Sequence, residues 1–414
     1  FYGIAFSVCV NYWVARFLSG SSVNVSERKA WVACGIVFNV LFLCCFKYTG
    51  FLSGVIDATA VIMSPALNIA LPAGLSFITF QQIVYLVNCY REPGQQANFL
   101  TYCLYISFFP RLLQGPIIYY QELMPQFAME RNRFFNVENF SKGIYLFSLG
   151  LFKKAVVGDW FASVVAKGFS QPDMLGLADS WLTSLGYTLQ IYFDFSGYTD
   201  MALGAALMFN ICLPQNFNSP YKAINIQDFW RRWLMTFVRF MRDFVYIPLG
   251  GNRRTDLITF RNLLLVFLVG GIWHGSGWTF IVWGLMHGAA VVVHRIWKKY
   301  GIPMPKALAW LLTFNYVNIC WVFFRSRSLQ DAFSVLKGMT GFNSLELENV
   351  PGILSPKTLV MTLLCFVAVI VFKNSAHMMQ NFEPGVRAGV FSSVLFVVGV
   401  FFLTRTTGFI YYQF

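Results

Sequence analysis

Long apolar segments follow one another along the whole of this chain, and they limit its fold more than any other feature. Of its 414 residues, 57% are hydrophobic and only 12% are charged, whereas a soluble domain carries about 25% charged residues. Apolar segments of this length predict membrane-spanning helices, so the sequence indicates an all-α, polytopic membrane protein. We expect the first apolar run to be a retained span and not a cleaved signal peptide.

The apolar runs predict about 11–13 spanning or re-entrant helices. Their approximate ranges are 1–17, 30–47, 55–71, 74–90, 98–114, 142–157, 181–193, 200–213, 262–273, 278–296, 307–324, 357–373 and 387–404. Residues 98–114 and 186–193 are expected to be re-entrant or enclosed by other helices. One integral-membrane domain is predicted, with N-terminal helices (1–120), a connector with helices (121–180), a core (181–300) and C-terminal helices (301–414).

The net charge of +13 has a membrane explanation. In a soluble protein such a charge would suggest nucleic acid as a partner. Here the basic residues lie in loops and at the ends of spans, as the positive-inside rule describes, so we expect a lipid bilayer and no nucleic acid. The sequence contains no CxxC pair and no HExxH motif, and we predict no metal site.

The stretch from Asn225 to Tyr246 is rich in aromatic and charged side chains. It contains no Pro or Gly, so we predict one continuous helix. Its aromatic residues would share one face, and its charged residues, Arg231 and Arg232 among them, the opposite one. Such a helix would lie at the membrane interface or line a wet cavity, and the alternative is a cytoplasmic connector.

A single histidine, His274, ends an apolar run and stands between Trp273 and Gly275. Histidine titrates near neutral pH and suits proton transfer, and an ionisable residue at membrane depth is a functional candidate. The alternative is a structural histidine bonded to a neighbouring helix.

Two further blocks place polar groups inside apolar surroundings. Arg111 and Gln114 lie between two prolines, which free backbone carbonyls that Arg111 could satisfy. Asp194 and Asp200 are predicted to flank a glycine turn. Asp194 is a candidate partner for Arg231, Arg232 or His274, and the alternatives are a helix N-cap and a buried pair with an arginine.

A third block, Tyr246 to Arg254, contains Leu-Gly-Gly-Asn-Arg-Arg and predicts a turn at Asn252. Its backbone donors and arginines could hold a phosphate. The alternative, which we favour, is a basic cytoplasmic loop.

Taken in order, several blocks resemble the membrane-bound O-acyltransferase superfamily, most closely the bacterial branch of the alginate O-acetyltransferase membrane subunit. The similarity to D-alanyl transfer proteins of Gram-positive bacteria is weaker. The blocks are LPAGLSFITFQ (71–81), FFPRLLQGPI (108–117), QIYFDFSGYTDMALG (190–204), NFNSPYKA (216–223), FWRRW (229–233), YIPLGGNR (246–253), GGIWHG (270–275) and FIYYQF (409–414).

The resemblance implies a bundle of helices around a central funnel, with residues 181–300 as the catalytic core and His274 as the catalytic general base. It implies acetyl-CoA as a cytoplasmic donor substrate with no bound cofactor. The acyl group would reach an exopolysaccharide such as alginate through an extracytoplasmic acetyltransferase partner. The expected location is the bacterial inner membrane. The substrate-channel candidates are Arg111, Gln114, Asp194, Arg231, Arg232, Trp233, Leu234, Asn252 and Trp273.

Leu234 departs from the pattern, because the family usually has a second histidine after FWRRW. Leucine cannot form a side-chain hydrogen bond or titrate. A catalytically impaired scaffold of a polysaccharide assembly complex therefore stays open. A transporter or channel for an anionic glycan or lipid carrier also stays open, because arginines at membrane depth suit such a function.

Overall fold

The computed structural model describes residues 2–20, 24–48, 72–92, 94, 96–343 and 349–403. Within these ranges the regular structure is helical and contains no β-strand, which confirms the all-α prediction. The predicted span at 55–71 lies outside the described residues, as does the terminal block 409–414 of the family pattern.

The described helices vary in length from 5 to 32 residues. They are α1 (Tyr2–Leu18), α2 (Val25–Lys47), α3 (Leu75–Arg91), α4 (Phe99–Ser107), α5 (Tyr120–Ala128), α6 (Val137–Phe152), α7 (Asp159–Ser170), α8 (Leu177–Met208), α9 (Ile226–Trp230), α10 (Met235–Met241), α11 (Asp256–His274), α12 (Trp278–Tyr300), α13 (Lys306–Arg325), α14 (Leu329–Met339), α15 (Pro356–Val371), α16 (Ser375–Gln380) and α17 (Val386–Phe402).

Several of these helices are suited to a bilayer. Among the described residues, α2, α11, α12 and α13 are long and apolar enough to cross a membrane, and α15 and α17 are shorter apolar helices. Leu363 on α15 and Val397 on α17 expose about two thirds of their surface, as expected for side chains that face lipid. The polytopic membrane class predicted from the sequence is confirmed.

The chain divides into two compact units. The N-terminal unit contains residues 1–144 and 202–214, and the C-terminal unit contains residues 145–201 and 215–414. Buried polar bonds join helices of the N-terminal unit, since Ser7 donates to Gln82 Oε1 at 3.0 Å and Asn11 Nδ2 donates to Asn39 Oδ1 at 3.2 Å. Bonds between helices are effective in lipid, where apolar contact alone gives little preference for protein over tails.

The prediction of a glycine turn between Asp194 and Asp200 is wrong. Residues 177–208 form the single helix α8, so the predicted spans 181–193 and 200–213 are not separate. Gly197 serves close packing instead: a Cβ there would overlap the carbonyl oxygen of Gly150 on α6, and a Cβ on Gly150 would overlap that of Gly197. The two backbones approach closely because neither residue has a side chain.

The prediction of one continuous helix from Asn225 to Tyr246 is also wrong. The helix ends at Trp230, restarts at Met235 as α10, and continues from Arg242 to Tyr246 as a π-helical turn. At the break Leu234 has a left-handed backbone, with φ 44° and ψ 52°.

The preceding loop holds this break open. Asn218 N donates to the carbonyl of Arg232 at 2.9 Å, and Met235 N donates to the carbonyl of Asn216 at 3.0 Å. The Asn216 side chain also accepts the Thr236 hydroxyl at 2.6 Å. These bonds satisfy backbone groups that a helix end leaves unpaired, so a tertiary contact overrides local helix propensity.

Candidate active site

His274 is the last residue of α11 and only 3% of its surface is exposed. The chain turns at once, because Gly275 has an extended backbone and any side chain on it would overlap the Phe280 ring. The glycine after the histidine is thus required by a close approach, and it places the imidazole where α11 meets the start of α12.

Aromatic side chains surround the His274 ring, among them Trp273, Trp283, Phe324 and Phe237. The ring centroids lie 4.6 Å away for Trp273, 5.0 Å for Trp283, 5.0 Å for Phe324 and 5.9 Å for Phe237. Trp283 and Phe324 meet the imidazole edge to face. Such walls exclude water, and electrostatic interactions of a reacting group are stronger there than in solvent.

A cavity of about 380 Å³ lies beside this cluster within the C-terminal unit. Phe237 and Trp283 line it and also contact the His274 ring. Its polar lining comes from Gln227, Arg231, Arg242 and Tyr246, and the rest is mostly apolar. The cavity therefore combines an apolar wall next to a buried imidazole with two guanidinium groups.

Gly270 also lines this cavity, one helical turn before His274 on α11. A Cβ on Gly270 would meet no atom within 4 Å, whereas a Cβ on its neighbour Gly271 would overlap the Phe280 carbonyl oxygen. The absence of a side chain at Gly270 thus adds to the open space. The absence of a side chain at Gly271 allows α11 and α12 to pack backbone to backbone.

A second buried histidine, His287, was not singled out from the sequence as functional. It is fully buried on α12, and its Nδ1 accepts a hydrogen bond from Trp230 Nε1 at 3.2 Å. Its ring centroid lies 5.0 Å from that of Trp283, as does the centroid of His274. The four-residue spacing of Trp283 and His287 on one predicted helix was the signal available, since it places both on one face.

Residues of the FWRRW block line the cavity, form an ion pair and pack in the aromatic cluster. Arg231 lines the cavity, and Arg232 pairs with Asp228 at 2.8 Å, as the i,i+4 spacing predicts. Trp233 is buried and stacks on Phe229, with centroids 5.6 Å apart. Leu234 is 3% exposed at the break between α9 and α10.

Asn252 lies elsewhere, exposed in a turn where Gly250 and Gly251 both have positive φ. This confirms the predicted turn. The buried Asn262 side chain holds it by donating to the carbonyls of Leu249 and Gly251 at 3.0 and 3.1 Å. Asn252 is not among the residues that line the cavity.

Asp194 belongs to a buried ion-pair network that the sequence did not reveal. Asp194 and Asp159 each lie 2.7 Å from Lys154 Nζ, and Asp200 lies 2.6 Å from Lys153 Nζ. The partner found for Asp194 is thus a lysine on the π-helical turn Lys153–Gly158, not one of the cationic groups considered from the sequence. Neighbouring lysines both face α8 because this turn is wound more loosely than an α-helix.

Arg111 and Gln114 lie in the N-terminal unit. As the prolines predict, α4 ends at Ser107 and Phe109–Arg111 forms a 3-10 turn. Arg111 is fully buried and Gln114 is 5% exposed. In the described part of the chain, no cluster of three or more His, Cys, Asp or Glu side chains could hold a metal ion.

Comparisons with known proteins identify the family of the chain. Residues 74–329 match the family described as MBOAT, membrane-bound O-acyltransferase family. A peptidoglycan O-acetyltransferase of Helicobacter pylori is 40% identical, over 99% of this chain and 86% of the relative. A probable alginate O-acetylase of Azotobacter vinelandii is 34% identical, over 90% of this chain and 75% of the relative.

A teichoic acid D-alanyltransferase of Bacillus subtilis is 25% identical, over 75% of this chain and 82% of the relative, so the weaker similarity predicted for that group is confirmed. The matched region contains the His274 block, the FWRRW block and the helices between them. The chain therefore belongs to the membrane-bound O-acyltransferase family and is an O-acyltransferase of the membrane.

Proposed function

We propose that this enzyme transfers an acetyl group from cytoplasmic acetyl-CoA towards hydroxyl groups of a bacterial cell-envelope polysaccharide. One relative is named as a peptidoglycan O-acetyltransferase and another as a probable alginate O-acetylase. Both names state that an acetyl group is transferred and that the acceptor contains carbohydrate. Peptidoglycan is the acceptor we favour over alginate, because that relative is 40% identical over 99% of the chain, compared with 34% over 90%.

The observation that carries the proposal is the buried His274 imidazole, walled by aromatic rings that also line a cavity. In the reaction His274 accepts the proton of an attacking hydroxyl group. The oxygen of that hydroxyl group forms a bond to the acetyl carbon at the same time. The C–S bond of the thioester then breaks, and the proton passes from the imidazole to the leaving thiolate. General base catalysis of this kind contributes about 10²–10⁴-fold to the rate.

The cavity suits a donor with an apolar arm and an anionic end. Its apolar walls would contact the pantetheine arm, and Arg231 would face the phosphates, since a guanidinium group binds phosphate in a bidentate way. The Arg242 guanidinium already pairs with Asp243 at 2.7 Å. Basic pairs at Arg253 and Arg254 and at Lys298 and Lys299 support a cytoplasmic location for this end.

The acceptor side requires a second protein under this proposal. The acetyl group would leave on the outer face of the inner membrane, to an extracytoplasmic acetyltransferase partner that modifies the polysaccharide. Acetyl-CoA is a substrate in this scheme, and no bound cofactor is needed for the chemistry.

The test is acetyl transfer from radiolabelled acetyl-CoA by protein purified in detergent, with and without an extracytoplasmic acetyltransferase partner. His274→Ala should abolish transfer while the protein stays folded. His294→Ala is the matched control, because it removes a half-buried histidine from α12 outside the aromatic cluster. Transfer near the wild-type rate in His274→Ala would refute the catalytic role, and no turnover by the wild-type protein with its partner would refute the proposed reaction.

A further inference from the structure

Arg111 in the N-terminal unit carries three buried polar atoms without hydrogen-bond partners among the described residues. Arg111 is fully buried, and its Nε, Nη1 and Nη2 find no hydrogen-bond acceptor in the part of the chain that the structure describes. The same holds there for Oε1 of Gln114 and for both amide atoms of Gln81, which is also fully buried. Native proteins rarely leave so many buried groups unsatisfied, which indicates a missing ligand.

The contact recorded for the Arg111 guanidinium is the face of Tyr105, whose ring centroid lies 4.6 Å from Cζ. The Tyr105 hydroxyl donates to the Ile118 carbonyl at 2.9 Å, which fixes the ring. A neutral ring offsets only part of the cost of removing a cation from water. Contact through the face also leaves the edge of the guanidinium, with its N–H donors, available to a planar or tetrahedral anion.

Gln81 is a second buried polar residue of the N-terminal unit, on α3. It lies one turn before Tyr85, whose ring centroid is 6.1 Å from that of Tyr105. Residues one turn apart share a helix face, so α3 directs Gln81 towards the tyrosine cluster that holds Arg111. Its amide can supply a further donor beside the guanidinium.

Arg28, in the same unit, is an arginine with a structural role whose hydrogen-bond donors have acceptors. Its Nε donates to the carbonyl of Leu18 at 2.9 Å, and its Nη2 donates to those of Cys89 and Tyr90 at 3.2 and 2.6 Å. Arg28 also lies over an aromatic ring, with Cζ 5.7 Å from the Tyr90 centroid. The two arginines thus differ in their acceptors and not in their aromatic contact.

We propose that Arg111, with Gln81, binds the phosphate group of a ligand inside the N-terminal unit. A guanidinium fork matches the paired oxygens of a phosphate, and Nε2 of Gln81 supplies a further donor. The ligand we assign is an anionic phospholipid, because the phosphates of the acyl donor are already assigned to Arg231 in the cavity of the C-terminal unit. This proposal is independent of the proposed reaction.

Binding to delipidated protein in detergent tests the proposal with phosphatidylglycerol and with diacylglycerol, which lacks the phosphate. The wild-type protein should bind phosphatidylglycerol about 10- to 100-fold more tightly, as for hydrogen bonds to a charged group.

Arg111→Met should abolish this preference, and Arg111→Lys should keep only part of it because lysine lacks the fork. Arg28→Met is the control and should keep it. The proposal is wrong if the wild-type protein shows no preference for phosphatidylglycerol, if Arg111→Met keeps the preference, or if Arg28→Met loses it to the same extent. These measurements involve no turnover, so a failure of the proposed acetyl transfer would be recognised separately.

Discussion

Substitutions at Gly270 test whether the cavity beside His274 is the path of the donor. Gly270 lines the cavity in the last turns of α11, and a Cβ there would meet no atom within 4 Å. Replacing a glycine inside a helix by alanine removes a conformational penalty of about 1 kcal/mol. Gly270→Ala should therefore leave the free energy of unfolding unchanged or raise it by up to about 1 kcal/mol.

Larger side chains at this position should block the reaction without unfolding the protein. A leucine or phenylalanine side chain would extend into the space of about 380 Å³ that the donor must share. Displacing a reactant by about 1 Å costs roughly 100-fold in rate. We expect kcat/KM for acetyl-CoA to fall only slightly in Gly270→Ala, and by about 100-fold or more in Gly270→Leu and Gly270→Phe.

The assay is steady-state acetyl transfer together with thermal unfolding of the same detergent preparations. Gly271→Ala is the contrasting control: its Cβ would overlap the Phe280 carbonyl, so this variant should lose stability first. Wild-type kcat/KM in a folded Gly270→Phe variant would refute the donor path. Unfolding of the whole Gly270 series, as for Gly271→Ala, would refute the open space inferred at this position.

Three further predictions concern other parts of the chain. Leu234→His should raise the rate of acetyl transfer, by up to about 100-fold if the new side chain acts as an acid or base together with His274. A rate equal to that of the wild-type protein at matched folding would show that the second histidine is dispensable. Lys153→Met alone should lower the free energy of unfolding by about 3–5 kcal/mol, because the Asp200 carboxylate loses its lysine partner. The double variant Lys153→Met with Asp200→Asn should lose less than Lys153→Met alone. Additive losses in this double-mutant cycle would contradict a coupled pair. Asn252→Cys, in a background without the native cysteines, should resist an impermeant thiol reagent applied to intact cells and react after lysis; ready labelling from outside would overturn the proposed side of donor entry.

The features predicted well from the sequence were those that depend on composition and local pattern. Alternation of apolar runs and basic ends indicated the membrane class, and the prolines of the 108–117 block marked the end of α4. Phe229, Trp233 and Phe237 are all buried, although the single helix on which they were expected to share one face is interrupted. Trp233 lies in the break itself, where it stacks on Phe229.

The features that were missed depend on contacts between distant residues. Lys154 lies 40 positions before Asp194, and no local pattern connects a lysine pair on one helix with aspartates on another. His287 acquires its Trp230 donor across 57 positions, so the sequence showed only a histidine within an apolar run. Gly197 was interpreted as a turn because its actual use, contact with Gly150, is invisible without the neighbouring helix.

At Leu234 a local departure from the family pattern coincides with a backbone geometry that a distant loop determines. A left-handed backbone costs a non-glycine residue about 1–2 kcal/mol, and histidine adopts it more often than leucine does. The conformation is nevertheless imposed from outside, because Asn216 and Asn218 bond to the backbone on both sides of it. The turn that would present the family's second histidine is thus kept in a chain that has leucine there. Since the surrounding loop and not residue 234 determines this geometry, a histidine placed at 234 would enter a backbone already shaped to accept it.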